Sequence, residues 1–187
     1  MAKSVSLVGP LGPGALGGME RKRIPFDLES VVSRSRAGPC FICEYLGAKV
    51  GYEHVSVAAN GSAVAFLAKY PTLFGEILVA PRRHLEDVTG SFSEQEYLEV
   101  QGFIYRVAEA VRLVLSPERV YILSLGSKAA NAHVHWKIAP LPQGIPLERQ
   151  QYHALMHEHG VIETSPADLD EYASRVRQRV RGLGDEP

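Results

Sequence analysis

His133-Val134-His135-Trp136-Lys137-Ile138-Ala139-Pro140 is the stretch whose reading decides the fold. In an extended chain, alternate side chains share a face. His133, His135 and Lys137 therefore point one way, their Cα atoms roughly 6.5–7 Å apart, and Val134, Trp136 and Ile138 the other. The second set is a core set. Packing cannot explain the first, because desolvating two imidazoles and an ammonium costs about several kcal/mol. That face is expected to meet a ligand, a metal or water.

Working outward, the segments before this strand alternate in the same manner. His54–Ala59 and Ala63–Lys69 read as strands joined by the hairpin signal Asn60-Gly61, and Gly75–Pro81 as a third. Ser93 and Glu96 make a capping box. From there Tyr97, Val100, Ile104, Val107, Ala108 and Val111 recur at helical spacing to about Leu115, before Pro117. Val120–Leu125 reads as a buried strand and Ala132–Ala139 as another, ended by Pro140 and Pro142. This is an α+β pattern: a five-stranded antiparallel sheet, a long central helix and a helical C-terminal extension.

The flanks are simpler. Residues 1–25 are Gly-rich, lack periodicity and read as a mobile arm; 26–145 read as the domain and 146–187 as the helical extension. Phe26–Arg36 is spaced for a short helix, and Ala37-Gly38-Pro39 breaks it. Leu147–His159 reads as one helix stopped by Gly160. A second, capped by Ser165 with Pro166 in its first turn, runs to about Val180.

Composition narrows the function. Of 187 residues, 45% are hydrophobic and the formal net charge is −1, so no overall positive field exists to hold nucleic acid or an anionic membrane. No apolar run approaches the roughly 20 residues that span a bilayer, and no signal peptide is read, so a cytoplasmic location is expected. Cys40 and Cys43 are the only cysteines. Their C-x-x-C spacing suits a metal or a redox pair, and the redox reading lacks the βαβ context it requires. Two further metal readings are weaker: His133 with His135 on one open ion, and His153 with His157 one helical turn apart.

The quoted segment resembles the H-φ-H-φ-H-φ-φ signature of histidine-triad proteins, with Lys137 at the third histidine. Three other stretches are similar to that family in the same order, over about residues 38–141. They are Cys40-Phe41-Ile42-Cys43, Ala65-Phe66-Leu67 followed by Pro71, and Gly75–Pro81 leading into Arg82-Arg83-His84. The C-terminal part is similar to extensions in bacterial diadenosine polyphosphate hydrolase-like members.

The resemblance implies a nucleotidyl hydrolase or transferase, acting on a dinucleoside polyphosphate or nucleoside phosphoramidate through a covalent nucleotidyl-histidine. His135 would be the nucleophile. Lys137 would neutralise phosphate charge, Ser127 and Asn131 would donate to the non-bridging oxygens, and Phe66 would lie against the substrate. A structural zinc would sit on Cys40, Cys43, His84 and His133, and a homodimer is expected. The alternative is a zinc-stabilised nucleotide-binding protein without turnover. The chain departs from the pattern at Lys137, at Ala68 where Asp or Asn is frequent, at Glu76 where histidine is common, and at Lys128-Ala129-Ala130-Asn131 before the strand.

Overall fold

The computed structural model describes residues 21–184. In chain order the elements are β1 (Arg23–Ile24), α1 (Leu28–Ala37), α2 (Phe41–Leu46), β2 (Ser56–Ala59), β3 (Ala63–Leu67), β4 (Ile77–Pro81), α3 (Glu94–Leu115), β5 (Arg119–Leu123), β6 (Trp136–Leu141), α4 (Tyr152–Leu155), β7 (Val161–Ile162) and α5 (Pro166–Gly184). Five of the strands form one antiparallel sheet in the order β2-β3-β4-β6-β5. This is the expected α+β architecture.

The sheet has two unlike faces. Val79, Ile77, Val134, Trp136 and Ile138 turn toward α3 and α5, where Val100, Phe103, Ile104, Val107, Val111, Tyr172 and Val176 complete the main core. The side chain of Tyr172 is fully buried, and its hydroxyl donates to the carbonyl of Gly75 at 2.9 Å. Gly75 has φ +85°, and a Cβ there would stand 2.8 Å from Leu115 Cδ1 and 2.9 Å from Tyr172 Cζ. The residue must therefore be glycine for both conformation and space.

On the other face, Val64, Phe66, Leu78 and Ala80 pack under α2 through Ile42, Phe41 and Tyr45. Cys40 caps α2, its sulfur accepting from the Cys43 N–H at 3.5 Å. α3 begins at the expected capping box of Ser93 and Glu96 and ends at Ser116, which is left-handed at φ +48°.

Several expectations are corrected. Residues 21–25, read as part of a mobile arm, are tied down: Arg23 and Ile24 pair with Ile162 and Val161, and the Arg21 guanidinium lies over Phe74 and pairs with Asp168. The first 20 residues of that arm lie outside the described residues. Leu147–His159 is not one helix. Gln151, at φ +53°, breaks it into a 3-10 turn Leu147–Arg149, the four-residue α4 and a second 3-10 turn His157–His159. β5 is an edge strand rather than a buried one, with Ile122 exposed. β6 continues to Leu141 through Pro140, which pairs with Val120. Among the described residues no helix is long and apolar enough to cross a membrane.

Candidate active site and metal centre

The ladder of β6 begins at Trp136, so His133 and His135 lie just ahead of it, but the alternation holds. Val134 enters the core, and its N–H donates to the Leu85 carbonyl at 2.7 Å. His133 and His135 therefore project toward α2. Ser124 Oγ, from the end of the neighbouring strand, donates to the His135 carbonyl at 2.9 Å and holds this entry in place.

His133 is fully buried, and its Nε2 lies 2.9 Å from the Pro81 carbonyl, which requires Nε2 to be the protonated nitrogen. Its Nδ1 then turns to the cysteines, 3.5 Å from Cys40 Sγ and 3.6 Å from Cys43 Sγ. His84 Nδ1 completes the group at 3.3 Å from Cys43 Sγ, while its Nε2 faces Glu86 Oε1 at 3.2 Å. The four donor atoms lie within 4.8 Å of one another.

These residues fit a tetrahedral metal. Zinc bonded to sulfur and imidazole nitrogen places those ligand atoms roughly 3.6 Å apart, close to the spacings found. Each ring nitrogen turned away from the centre also has an acceptor, which fixes the ring as a ligand. In the bare protein, burial and the adjacent Cys40 sulfur push the Cys43 thiol up to about 11. A divalent cation reverses that balance by binding the thiolates.

His135 is half-buried and stands apart from this group. Its Nδ1 lies 2.8 Å from the His133 carbonyl, so Nδ1 carries the proton and Nε2 keeps its lone pair. Burial holds the His135 pKa below the ordinary histidine value. The carbonyl bond opposes that shift, and the nearby Lys137 charge adds to it. Phe41 presents its edge to the ring at 6.1 Å between centroids. On the other side, a Cβ at Gly126 would stand 3.6 Å from His135 Cε1 and 3.2 Å from the Asn131 carbonyl. The glycine thus lets the loop close against the imidazole.

The remaining expected residues have different fates. Asn131 is exposed, left-handed at φ +56°, and flanks this loop. Ser127 is exposed, and its Oγ accepts the Ala129 N–H within its own turn. Phe66 is placed differently from expectation: it is fully buried beneath Tyr45 and His54, with centroids 4.7 Å away in each case, so it supports the site from below and presents no surface to a substrate. Lys137 is on the expected face, but its ammonium lies 3.2 Å from Glu76 Oε2.

His153 and His157 do not converge. His153 stacks on His159 at 3.9 Å, whereas His157 Nε2 donates to the Tyr70 carbonyl. A cavity of about 140 Å³ beside His153, walled by Leu73, Phe74 and Leu141, includes none of the residues expected to bind nucleotide or zinc. Sequence reasoning gave no site role to Phe41 or Gly126, and marked Glu76 only as a departure from the family pattern. The glycine carried a signal in its position at the head of the loop before the histidines; the other two depended on tertiary placement.

No protein-family profile and no curated protein matches the chain. Solved structures do. A hypothetical histidine triad nucleotide-binding protein from Sulfolobus tokodaii strain7 is 20% identical with a TM-score of 0.62, covering 77% of this chain and 93% of that one. A Zn-bound histidine triad family protein from Mycobacterium smegmatis is 18% identical with a TM-score of 0.60, covering 78% and 95%. A member of the HIT family from Bacillus subtilis is 21% identical with a TM-score of 0.52, covering 76% and 97%.

Proposed function

Because the chain carries the histidine-triad fold, we propose that it is a nucleotidyl hydrolase or transferase in which His135 attacks the α-phosphorus of a nucleotide. One observation carries this reading. The Nδ1–H of His135 is committed to the His133 carbonyl, which leaves a neutral imidazole with its Nε2 lone pair directed away from that bond.

The reaction divides into two displacements. Nε2 forms a bond to phosphorus as the bond to the leaving group breaks, and the departing oxygen or amine takes up a proton from solvent. Water or another acceptor then displaces the histidine and frees the nucleotide. Charge grows on the non-bridging oxygens in both steps, and preorganised donors stabilise it. The loop of Ser127 and Asn131 is the proposed source of those donors. The substrate class is a dinucleoside polyphosphate or a nucleoside phosphoramidate.

Cys40, Cys43, His84 and His133 would hold a structural zinc. Bound there, it would balance the two thiolates and tie α2 to the end of β4. The chain would work as a homodimer formed through the exposed side of α3 and the edge strand β5.

The test is to incubate the protein with diadenosine tetraphosphate or adenosine phosphoramidate, quench in alkali, and look by mass spectrometry for an adenylylated peptide containing residue 135. Its appearance with released AMP supports the reading. Nucleotide binding without adduct or product would instead make this a binding protein.

A further inference from the structure

Glu76 sits at the turn leading into β4 and is 1% exposed. Its Oε1 accepts from the Thr72 hydroxyl and from the Leu73 N–H, the latter at 3.1 Å. Its Oε2 is sealed and has no hydrogen-bond partner among the described residues. The Lys137 ammonium, 3.2 Å away on a side chain 20% exposed, is the charge that faces it.

The register gives this contact a direction. Lys137 is the partner of Leu78 across β4 and β6, and Ile138 the partner of Ile77. Continued one step, the same register puts Glu76 beside Ala139. His135 lies two residues from Lys137 in the opposite sense, so the lysine leans along the sheet away from the imidazole. If the ammonium left for a phosphate, a buried carboxylate would remain uncompensated, which is the costly way to break a buried pair. In the resting protein Lys137 is therefore anchored, and no loose cation stands over His135 from this position.

We infer that Glu76 is a positioning residue that docks Lys137 away from His135, keeping its ammonium off the incoming phosphate. The inference rests on the proposed attack by His135. Without the anchor, Lys137 is free to swing toward the nucleotide and grip it in the ground state. Binding then tightens while turnover slows, because the added attraction stabilises the ground state more than the transition state.

Three measurements on Glu76→Gln test this. Gln retains an acceptor for Thr72 and Leu73 but loses the charge. Labelling of Lys137 by an amine-acylating reagent, quantified by mass spectrometry, should rise at least about fivefold. The Kd for AMP by calorimetry should fall about threefold, and kcat by about the same factor. Adding Lys137→Met to Glu76→Gln should return the Kd to the wild-type value, an effect that a merely structural role for Glu76 would not produce.

Unchanged labelling, or an AMP affinity that is unchanged or weaker, overturns the inference. If the variant does not fold, Glu76→Asp, which withdraws the carboxylate by one methylene, is read in the same way. Labelling and AMP affinity do not require turnover. A wild-type protein that shows neither adduct nor products therefore removes the proposed reaction, while labelling still decides whether Glu76 docks Lys137.

Discussion

The Nδ1 of His135 stands 2.8 Å from the carbonyl oxygen of His133, two residues earlier in the same chain. The His133 side chain, meanwhile, is turned to the Pro81 carbonyl and the two cysteines. One residue thus fixes the tautomer of the candidate nucleophile with its backbone and closes the candidate metal centre with its ring.

The first consequence concerns pH. His135 is held below the ordinary histidine pKa, chiefly by burial, so its nucleophilic neutral form persists to a pH below about 6.5. kcat/KM should be level from pH 8 to 6.5 and fall only at lower pH, as the ring gains a proton. His135→Ala should lower kcat at least about a thousandfold, with AMP affinity within about threefold of wild type. A pH–rate profile and calorimetry read both. An acid limb centred above pH 7 would contradict the assignment.

Stability should follow the same sign. Burial is the largest cause lowering the pKa values of His54, His135 and His157. The unfolded chain takes up protons at these positions below about pH 6.5, while the folded protein resists until the pH is lower still. Folding free energy should therefore be unaffected by these groups at pH 8 and decline as the pH drops from 6.5 toward 5. Urea melts across this range will show whether it does.

The metal centre should be stoichiometric and structural. Metal analysis of protein purified without chelator should give about one zinc per chain. Removing the ion, or introducing His133→Ala, should destabilise the protein by at least about 3 kcal/mol, or roughly 6–12 °C in Tm for a chain of this size. Protein that contains no zinc and melts identically with and without chelator would rule the centre out.

Gly75 should tolerate no side chain. Its positive φ and the crowding by Leu115 and Tyr172 predict that Gly75→Ala costs about 2 kcal/mol or more. Tyr172→Phe, which leaves the Gly75 carbonyl without its hydroxyl donor, should cost about 1–2 kcal/mol. Thermal denaturation of the two variants distinguishes these magnitudes.

Self-association is predicted on the open side of α3 and β5. Tyr105 is 68% exposed and Ile122 48% exposed, and both line a shallow groove on that side. If this surface joins two copies, Tyr105→Glu with Ile122→Lys should convert a dimer to a monomer in light scattering at micromolar concentration. A wild-type monomer would refute the expectation.

The sequence by itself determined the elements with a strong local cause. Alternation around Trp136 specified the core side of the key strand, Asn60-Gly61 the hairpin, and Ser93 with Glu96 the start of α3. The C-x-x-C spacing marked half of the cluster that could hold a metal. Local signals were insufficient where long-range contacts outweigh propensity. Helical spacing from Leu147 to His159 gave way to a broken segment, and the end of the expected arm, at Arg21, became a strap held by Phe74 and Asp168.

Only the tertiary structure decided which groups meet. Cys40 and His133 are 93 residues apart, and Glu76 and Lys137 are brought together by the register of β4 against β6. Periodicity assigns a side chain to a face, but its partner across the sheet is set by strand order and register. Those depend on packing the whole core at once.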